Sequence, residues 1–172
     1  MPVLEKYSVI VALCNPKSPT NVGAVLRAAG CYQVGSVRYT GQRFDRAAKY
    51  QTDTNNSESK IPLTHVDDSS DFKAIDMKLV CVELVEGATP LPQFKHPEKA
   101  IYVFGPEDGS IEQSLIDQAD HVVYVPTIGC MNLAASVNVL LYDRLAKSAN
   151  SYDDSIVKRS RDTNNRLTRI MQ

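Results

Sequence analysis

Four nearly uninterrupted apolar runs of strand length constrain most strongly what this chain can fold into. They occupy residues 8–14, 78–84, 99–105 and 121–126. A strand that is apolar along its whole length is typical of a parallel sheet whose two faces are both buried. Segments with helical spacing of apolar residues separate these runs, and strands that alternate with helices favour such a sheet. The pattern therefore predicts an α/β fold with a mostly parallel sheet and helices on both faces.

The remaining elements follow the same alternation. Residues 36–40 and 61–66 are interpreted as two further strands, which makes six in all. Helices are predicted over residues 22–31 with Asn21 as N-cap, from Ser110 to residue 119, and over residues 132–149. Shorter predictions are a helix at residues 72–76, a turn at 86–90, and a short helix followed by a mobile loop within 42–59.

Length and charge bound the domain organisation. A chain of 172 residues with 43% hydrophobic residues suits one domain, which we expect at residues 1–150. The tail, residues 151–172, is predicted to be basic and helical or partly disordered. Its cations are Lys158, Arg159, Arg161, Arg166 and Arg169. The net charge of −1 argues against a protein that holds nucleic acid by charge alone.

The sequence predicts a cytoplasmic protein without a membrane span or a metal site. No apolar run approaches the roughly 18 residues of a membrane helix, and the first residues lack a signal-peptide layout. The four cysteines are widely spaced and three lie in apolar runs, which is typical of reduced, buried thiols. The sequence contains no CxxC pair and no close cluster of His and Cys, so a zinc site is not expected. The three histidines, His65, His96 and His121, are interpreted as structural or exposed.

Three loops that each follow a predicted strand are candidates for a ligand site. They span residues 15–27, 105–111 and 126–132, and each bends through Gly or Pro before a helix. Ligands of open parallel sheets bind beyond the carboxyl ends of the strands. The alternative interpretation is that these loops are ordinary turns and that Arg27 is the exposed flank of a core helix. Because no GxGxxG or GxxxxGK[ST] motif occurs, the residues alone predict a crevice without a reaction, and a flavodoxin-like nucleotide or flavin domain stays open.

The order and spacing of these loops resemble the SpoU (TrmH) class of SPOUT RNA methyltransferases. Residues 21–29, NVGAVLRAA, resemble its first motif, in which Asn, Gly and Arg are the signature. Residues 103–107, VFGPE, resemble the second motif, and residues 125–133 with the LLYD at 140–143 resemble the third. The three motifs span roughly residues 7–145. Pro106, Asp108 and Ser110 stand where the class usually has Asn and two Gly, and Cys130 stands where Ser is frequent.

The resemblance implies an α/β sheet whose C-terminal part forms a deep trefoil knot that binds S-adenosylmethionine. It also implies a homodimer that completes each active site and methylates a ribose 2′-hydroxyl, with transfer RNA favoured over ribosomal RNA. The implied cofactor contacts are Glu83, Leu84, Gly105, Glu107, Val125, Ile128, Cys130 and Met131. Arg27 is implied as the catalytic residue, while Asn21 braces the first loop and Asn132 ties the third loop to the site.

RNA contacts and two alternative functions complete what the resemblance implies. The candidate RNA contacts are Lys17, Arg43, Arg46 and Lys49, near the first loop. The family resemblance implies Arg27 as the base on the ribose hydroxyl, but because a guanidinium group stays protonated at neutral pH, a grip on the adjacent phosphate is an equally physical role. The alternatives are a knotted protein that binds RNA or cofactor without catalysis, and a knotted methyltransferase that acts on a base nitrogen.

Overall fold

All seven strands of the described chain lie in one parallel sheet. The computed structural model describes residues 8–50 and 60–170. The strands are β1 (Val9–Leu13), β2 (Ser36–Tyr39), β3 (Leu63–His65), β4 (Lys78–Val82), β5 (Thr89–Pro90), β6 (Ala100–Phe104) and β7 (His121–Tyr124). Their order is β3-β2-β1-β6-β4-β7-β5, and every neighbouring pair is parallel. The predicted α/β fold with a parallel sheet is confirmed.

The register of the central strands brings the three candidate loops to one edge of the sheet. Leu13 of β1 lies opposite Phe104 of β6, and Phe104 lies opposite Val82 of β4. Val82 in turn lies opposite Val123 of β7. Because these strands are parallel and end together, the segments that follow them leave the sheet side by side. This is the carboxyl edge, where ligands of parallel sheets bind.

Helices cover both faces of this sheet. The covering helices are α1 (Pro19–Cys31), α2 (Arg43–Ala48), α3 (Gln113–Gln118) and α4 (Leu133–Ala146), whereas α5 (Asp154–Ser160) buries no residue. Alternate residues of β1 enter two different cores, because successive side chains of a strand point to opposite faces. Val11 packs in the core that holds α1 and α4, whereas Ile10 packs in a second core with Phe72 and with Leu115 of α3. The uninterrupted apolar strands are thus buried on both sides.

Helix α1 begins three residues before the predicted start. Its N-cap is Ser18, whose hydroxyl accepts a hydrogen bond from the Asn21 N–H at 3.3 Å. Pro19 occupies the first helical position, where its fixed φ suits a helix and its missing N–H costs nothing. The prediction of Asn21 as the cap is therefore wrong, and its side-chain amide is left for other contacts.

Helix α3 begins later than predicted, whereas α4 begins as predicted. The chain stays extended past Ser110 because the Ile111 N–H donates to the Glu83 carboxylate at 3.1 Å and the Ile111 side chain is buried. The helix starts only at Gln113, so the prediction of Ser110 as its cap is wrong. Helix α4 is capped by Asn132 and ends at Ala146 rather than at residue 149.

Shorter segments differ from the predictions in detail. The predicted helix at 72–76 is replaced by a 3₁₀ turn, Ser69–Phe72, which Asp68 and Asp71 close as a capping box. The predicted turn at 86–90 ends in the short edge strand β5. The helix predicted after residue 42 is α2. The mobile loop that was predicted to follow it falls partly on residues 51–59, outside the described residues.

The expectation of four buried thiols is half wrong. Cys81 is buried and Cys14 is partly buried, and burial raises the pKa of each thiol to about 12. Cys31 and Cys130 are exposed, because Cys31 ends α1 and Cys130 lies in the third loop. An apolar run predicts burial when it forms a strand, and neither of these two cysteines lies in a strand.

A polar cluster fixes the end of α4 to the segment before β6. His96 Nε2 lies 2.7 Å from the Asp143 carboxylate, and His96 Nδ1 lies 2.7 Å from the Tyr102 hydroxyl. That hydroxyl also accepts from Arg144 at 3.0 Å, and Lys147 donates to Asp143 at 2.8 Å. A neutral His96 with its proton on Nε2 satisfies all of these groups, and burial lowers its pKa. The structural interpretation of His96 is confirmed.

The rest of the described chain adds α5 and carries no sign of a membrane or metal site. Residues 151–170 are exposed apart from Arg161, which is partly buried. Within residues 8–50 and 60–170, no helix is long and apolar enough to cross a bilayer. The same residues contain no group of three or more His, Cys, Asp or Glu side chains suited to a metal ion. The domain boundary at 150, the knot and the cytoplasmic location stay predictions.

Candidate functional site

A crevice opens where β4, β6 and β7 end. Its walls come from the turn after β4, from the second and third loops, and from the first turn of α4. Seven of the eight predicted cofactor positions line it: Glu83, Leu84, Gly105, Glu107, Val125, Cys130 and Met131. The eighth, Ile128, lies outside the lining with its side chain fully exposed. The crevice therefore brings together residues that are up to 54 positions apart in the sequence, from Val82 to Ser136.

Glu83 ties the turn after β4 to the second loop. Its carboxylate accepts the Leu84 N–H at 2.9 Å and the Ile111 N–H at 3.1 Å. Gly105 lies directly against this contact, since a Cβ there would be 3.1 Å from Glu83 Oε2 and 3.2 Å from the Ile111 nitrogen. Any side chain at position 105 would push these groups apart. The glycine thus permits the close approach of two loops that form the crevice.

Glu107 holds the first loop against the second. Its carboxylate accepts the N–H groups of Lys17 at 2.9 Å and Ser18 at 3.1 Å, and the Asn21 side-chain amide at 3.2 Å. Partial burial alone would raise the pKa of Glu107, but these hydrogen bonds outweigh it and lower the pKa. The carboxylate also lies at the N-terminus of α1, where the helix dipole favours a negative charge. Glu107 is therefore an ionised anchor for the first loop.

A relay of side-chain amides continues from Glu107 to the third loop. Asn21 donates to Glu107 and accepts from Asn132 Nδ2 at 3.1 Å, while Asn132 Oδ1 accepts the N–H groups of Ala134 and Ala135. The ends dictate the direction: a carboxylate can only accept, and helix N–H groups can only donate. Both amide orientations follow from this. The relay joins the three loops across sequence separations of 86 and 111 residues.

The third loop presents unpaired backbone donors. Gly129 has a φ of +85°, which favours glycine, and open space lies where a Cβ would be. The hydroxyl of Thr127 donates to the Gly129 carbonyl at 3.2 Å. The N–H groups of residues 128–131 have no acceptor within the part of the chain that the structure describes. Since unpaired N–H groups are costly unless water or a ligand satisfies them, this loop suits a ligand recognised through the backbone.

Arg27 lies outside the crevice lining of its own chain. It occupies an exposed stripe of α1 that also holds Thr20 and Ala24, at helical spacing. Its guanidinium makes no hydrogen bond or ion pair with any residue in 8–50 or 60–170. The neighbouring helix α4 exposes 38% of Val139 and 61% of Tyr142. Helices α1 and α4 therefore form an outer surface, the α1–α4 surface, on which apolar side chains accompany an unpaired cation.

Arg43, one of the predicted RNA contacts, is paired within the chain. It forms a two-bond salt bridge with Asp108 at 2.8 and 3.0 Å and donates to the Asn15 carbonyl at 2.6 Å. The bond to Asp108 raises the pKa of Arg43, and the same bond lowers the pKa of Asp108. This bridge joins α2 to the second loop. It also accounts for Asp108, which departs from the usual second motif, and the contact of Arg43 with RNA stays a prediction.

The other three predicted RNA contacts are exposed. Arg46 donates to the Gln42 side chain at 3.0 Å within α2. Lys17 and Lys49 make no side-chain hydrogen bond or ion pair with the described residues. Their position near the first loop is consistent with the prediction, and their contact with RNA stays a prediction.

Three residues with a side-chain hydroxyl also line the crevice and were not among the predicted cofactor contacts. They are Tyr124, Thr127 and Ser136. Ser136 lies one helical turn after Asn132 and donates to the Asn132 carbonyl at 3.1 Å. Helical spacing from the third motif could have found it, because residues four apart share a face. Tyr124 and Thr127 carry no comparable signal in the sequence.

These observations first define a class: α/β domains that bind a ligand at the carboxyl edge of a parallel sheet, between loops fixed by long-range polar contacts. The comparison with protein families is more specific. Residues 8–142 match the SpoU rRNA Methylase family, and the chain belongs to that family. The resemblance drawn from the three motifs is confirmed. No curated protein sequence matches this chain.

Solved structures with the same fold are similar to this chain at low sequence identity. The A. aeolicus TrmH/SpoU tRNA modifying enzyme is 19% identical with a TM-score of 0.69, over 83% of this chain and 77% of that one. A structure described as giving insights into the 2-OH methylation of C/U34 on tRNA is 18% identical with a TM-score of 0.69, over 86% and 98%. The SpoU methyltransferase AviRb from Streptomyces viridochromogenes, in complex with AdoMet, is 17% identical with a TM-score of 0.66. That match covers 85% of this chain but only 59% of AviRb.

Proposed function

We propose that this protein is an S-adenosylmethionine-dependent RNA methyltransferase that modifies a ribose 2′-hydroxyl, with transfer RNA as the favoured substrate. Membership of the SpoU rRNA Methylase family supports the reaction class. The structure concerned with 2-OH methylation of tRNA supports the ribose and transfer RNA, because this chain spans 98% of it. The observation that carries the proposal is the relay from Glu107 through Asn21 to Asn132, which fixes the three family motifs around one crevice.

The crevice fits the cofactor through its backbone. The N–H groups of residues 128–131 are free to recognise an adenine edge, and Val125 and Leu133 supply apolar walls. The volume of the crevice is about 160 Å³. A drug-sized ligand usually fills roughly 300–1,000 Å³, so a nucleoside ligand would extend from it towards the open side. When bound there, S-adenosylmethionine would supply an activated methyl group.

A homodimer through the α1–α4 surface accounts for the position of Arg27. An apolar groove of about 430 Å³ lies on this surface, lined by Tyr32 after α1 and by Val139 and Tyr142 of α4. Apolar patches of this kind are typical of protein–protein contacts. Pairing two copies there would carry Arg27 of one copy towards the crevice of the other. An active site completed in this way is what the family resemblance implies.

Arg27 would act on the ribose by charge. The ribose hydroxyl would lose its proton to water as its oxygen takes the methyl group and the methyl–sulfur bond of the cofactor breaks. A guanidinium group cannot take that proton at neutral pH, but it stabilises the developing negative oxygen and grips an adjacent phosphate through two N–H groups. Alignment of the hydroxyl with the methyl group supplies much of the remaining rate enhancement.

The test is methyl transfer to defined RNA. We would incubate the protein with S-adenosylmethionine labelled in its methyl group and, separately, with unmodified transfer RNA and unmodified ribosomal RNA. Digestion to nucleosides followed by mass spectrometry then distinguishes a 2′-O-methyl ribose from a methylated base. We expect 2′-O-methyl nucleosides from the transfer RNA pool. Label on a base nitrogen would refute ribose specificity, and cofactor binding without any transfer would favour a non-catalytic binding protein.

Arg27→Ala is the matched variant for this assay. We expect it to keep its fold and cofactor affinity while transfer falls at least 100-fold, since one preorganised charge contact is worth about 10²–10³ in rate. Arg27→Lys keeps the charge but not the two-pronged grip, so it should recover only part of the rate. Turnover by Arg27→Ala within a few-fold of the unsubstituted protein would contradict the role proposed for Arg27.

A further inference from the structure

The C-terminal arm, residues 153–170, is folded but contributes to neither core. Its helix α5 is capped by Asp153, whose carboxylate accepts the Ser155 N–H at 2.8 Å. After the helix, Arg161 donates to the Leu167 carbonyl at 3.2 Å and so closes a loop within the arm. No residue of the arm belongs to the buried clusters, and all are exposed except the partly buried Arg161. The arm is therefore available to an outside partner.

The arm concentrates positive charge in a chain that is otherwise acidic. The arm holds five cations and three acids, a net charge of +2, whereas the whole chain carries −1 and its remainder therefore −3; all five cations lie within residues 158–170, together with one of the acids. No Lys or Arg occurs between Lys99 and Arg144, the stretch that supplies the second and third loops of the crevice. Arg43 is paired with Asp108. The crevice itself thus offers little charge with which to hold a polyanion.

Most of the arm's cations have no partner in the described structure. Lys158, Arg159, Arg166 and Arg169 make no ion pair or side-chain hydrogen bond with residues 8–50 or 60–170. The one acid among them, Asp162, accepts the Asn164 N–H at 2.8 Å and closes a turn. Cations without a protein partner are free to neutralise phosphates, and the release of the counterions that the nucleic acid had condensed on those phosphates drives association.

We infer that the C-terminal arm docks substrate RNA by gripping backbone phosphates outside the crevice; the inference rests on the proposed function. Four of the five cations are arginines, whose planar guanidinium groups match phosphate geometry. Phosphate contacts hold and orient a nucleic acid without reading its sequence. The arm sets the affinity for RNA, and the crevice selects the nucleotide. An anionic membrane is the weaker fit, because α5 has only seven residues and the arm's exposed large apolar side chains are divided between α5, with Ile156 and Val157, and the non-helical segment after it, with Leu167 and Ile170.

The test compares two variants of equal charge in the full-length protein. The arm variant is Lys158→Gln, Arg159→Gln, Arg166→Gln and Arg169→Gln. The control variant removes four exposed cations elsewhere: Lys60→Gln, Lys73→Gln, Lys95→Gln and Lys99→Gln. Binding to an unmodified transfer RNA transcript is measured by fluorescence anisotropy at 50, 100 and 200 mM KCl. Methyl transfer, cofactor affinity and thermal stability are measured on the same preparations.

Each phosphate contact accounts for about a threefold loss of affinity between 50 and 200 mM salt. If the arm makes two to four such contacts, the factor by which RNA affinity falls between 50 and 200 mM salt should be about 10 to 100 times larger for the unsubstituted protein than for the arm variant. The KM for RNA should rise at least tenfold in the arm variant, while kcat at saturating RNA, cofactor affinity and thermal stability stay unchanged. The control variant should keep most of the salt dependence.

Failure of the inference and failure of the proposed function give different results. Equal salt dependence and equal KM in the arm variant and the control variant would overturn the inference, whatever the methylation assay gives. Loss of salt-dependent RNA binding in the arm variant, in a protein that methylates no RNA, would support the arm as an RNA element and refute the proposed reaction. Arm-dependent binding to phosphatidylserine vesicles together with unchanged RNA binding would replace RNA by a membrane surface and overturn the inference.

Discussion

Asn132 has two roles in the relay, and two substitutions separate them. Its Oδ1 caps α4 by accepting the N–H groups of Ala134 at 2.9 Å and Ala135 at 3.3 Å. Its Nδ2 donates to Asn21 Oδ1 at 3.1 Å. Asn132→Asp keeps the cap, because a carboxylate accepts well at a helix N-terminus. It removes the donor to Asn21, whereas Asn132→Ala removes both contacts.

The expected losses follow from the two contacts. Loss of an N-cap costs about 1 kcal/mol, and loss of one hydrogen bond costs about 0.5–1.5 kcal/mol. We therefore expect Asn132→Ala to lower the free energy of unfolding by about 1.5–2.5 kcal/mol and Asn132→Asp by about 0.5–1.5 kcal/mol. At about 2–4 °C per kcal/mol for a chain of this size, Asn132→Ala should lower the Tm by about 3–10 °C. Asn21 cannot compensate by turning its amide, because its oxygen would then face the Glu107 carboxylate.

Urea unfolding at one fixed protein concentration measures these differences. A double-mutant cycle with Asn21→Ala isolates the contact between the two amides, and we expect a coupling of about 0.5–1 kcal/mol. Asn138→Ala is the control, because Asn138 lies in the same helix and bonds only the carbonyl of Ala134. Equal destabilisation by Asn132→Asp and Asn132→Ala, or a coupling of zero, would refute the relay.

Three other perturbations have definite outcomes. Gly105→Val should abolish cofactor binding in a calorimetric titration, because its Cβ would lie 3.1 Å from the Glu83 carboxylate; unchanged affinity would contradict this. Arg43→Met should cost at most about 1 kcal/mol in urea unfolding, since its salt bridge with Asp108 is partly exposed, and a larger loss would mean that other contacts fail with it. Burial lowers the pKa of His96 in the folded protein below its value of about 6.5 in the unfolded chain. The stability that neutral His96 contributes is therefore present above pH 6.5 and is lost as the pH falls through the pKa of the folded state. The free energy of unfolding should therefore fall less between pH 7.5 and 5 in His96→Gln than in the unsubstituted protein. Parallel curves of unfolding free energy against pH for the two proteins would contradict this prediction.

The strand pattern could be predicted because local sequence decides it, whereas the helix starts depend on distant residues. A strand formed by residues 8–14 has apolar side chains on both of its faces, so the local sequence was enough to predict β1. Ser18 and Asn21 are both good N-caps, and the choice between them depends on Glu107, 86 residues beyond Asn21. Ser110 is also a good N-cap by residue type, but the Ile111 N–H donates to Glu83 instead of entering a helix. Tertiary contacts overrode local preference in both cases.

The candidate site divides in the same way. Its positions could be inferred from the spacing of three motifs, since each motif follows a strand of the sheet. The contacts within it could not, because polar partners 86 and 111 residues apart leave no local pattern. Arg43 has the local sequence of an ordinary surface cation on a short helix, and only the fold brings Asp108 to it. The reaction was inferred from the resemblance to the family, because the spacing of apolar residues carries no information about chemistry.

The relay also changes how the three carried-over polar residues of the site are understood. A carboxylate at one end and helix N–H groups at the other require two linkers that accept on one side and donate on the other, and a short amide does both. An aspartate at position 21 would face Glu107 with like charge, and one at position 132 would leave Asn21 without a donor. Hydrogen-bond direction alone therefore explains both asparagines without a contact to substrate. Arg27, which has no partner among the described residues, is the carried-over side chain whose proposed role depends on the reaction itself.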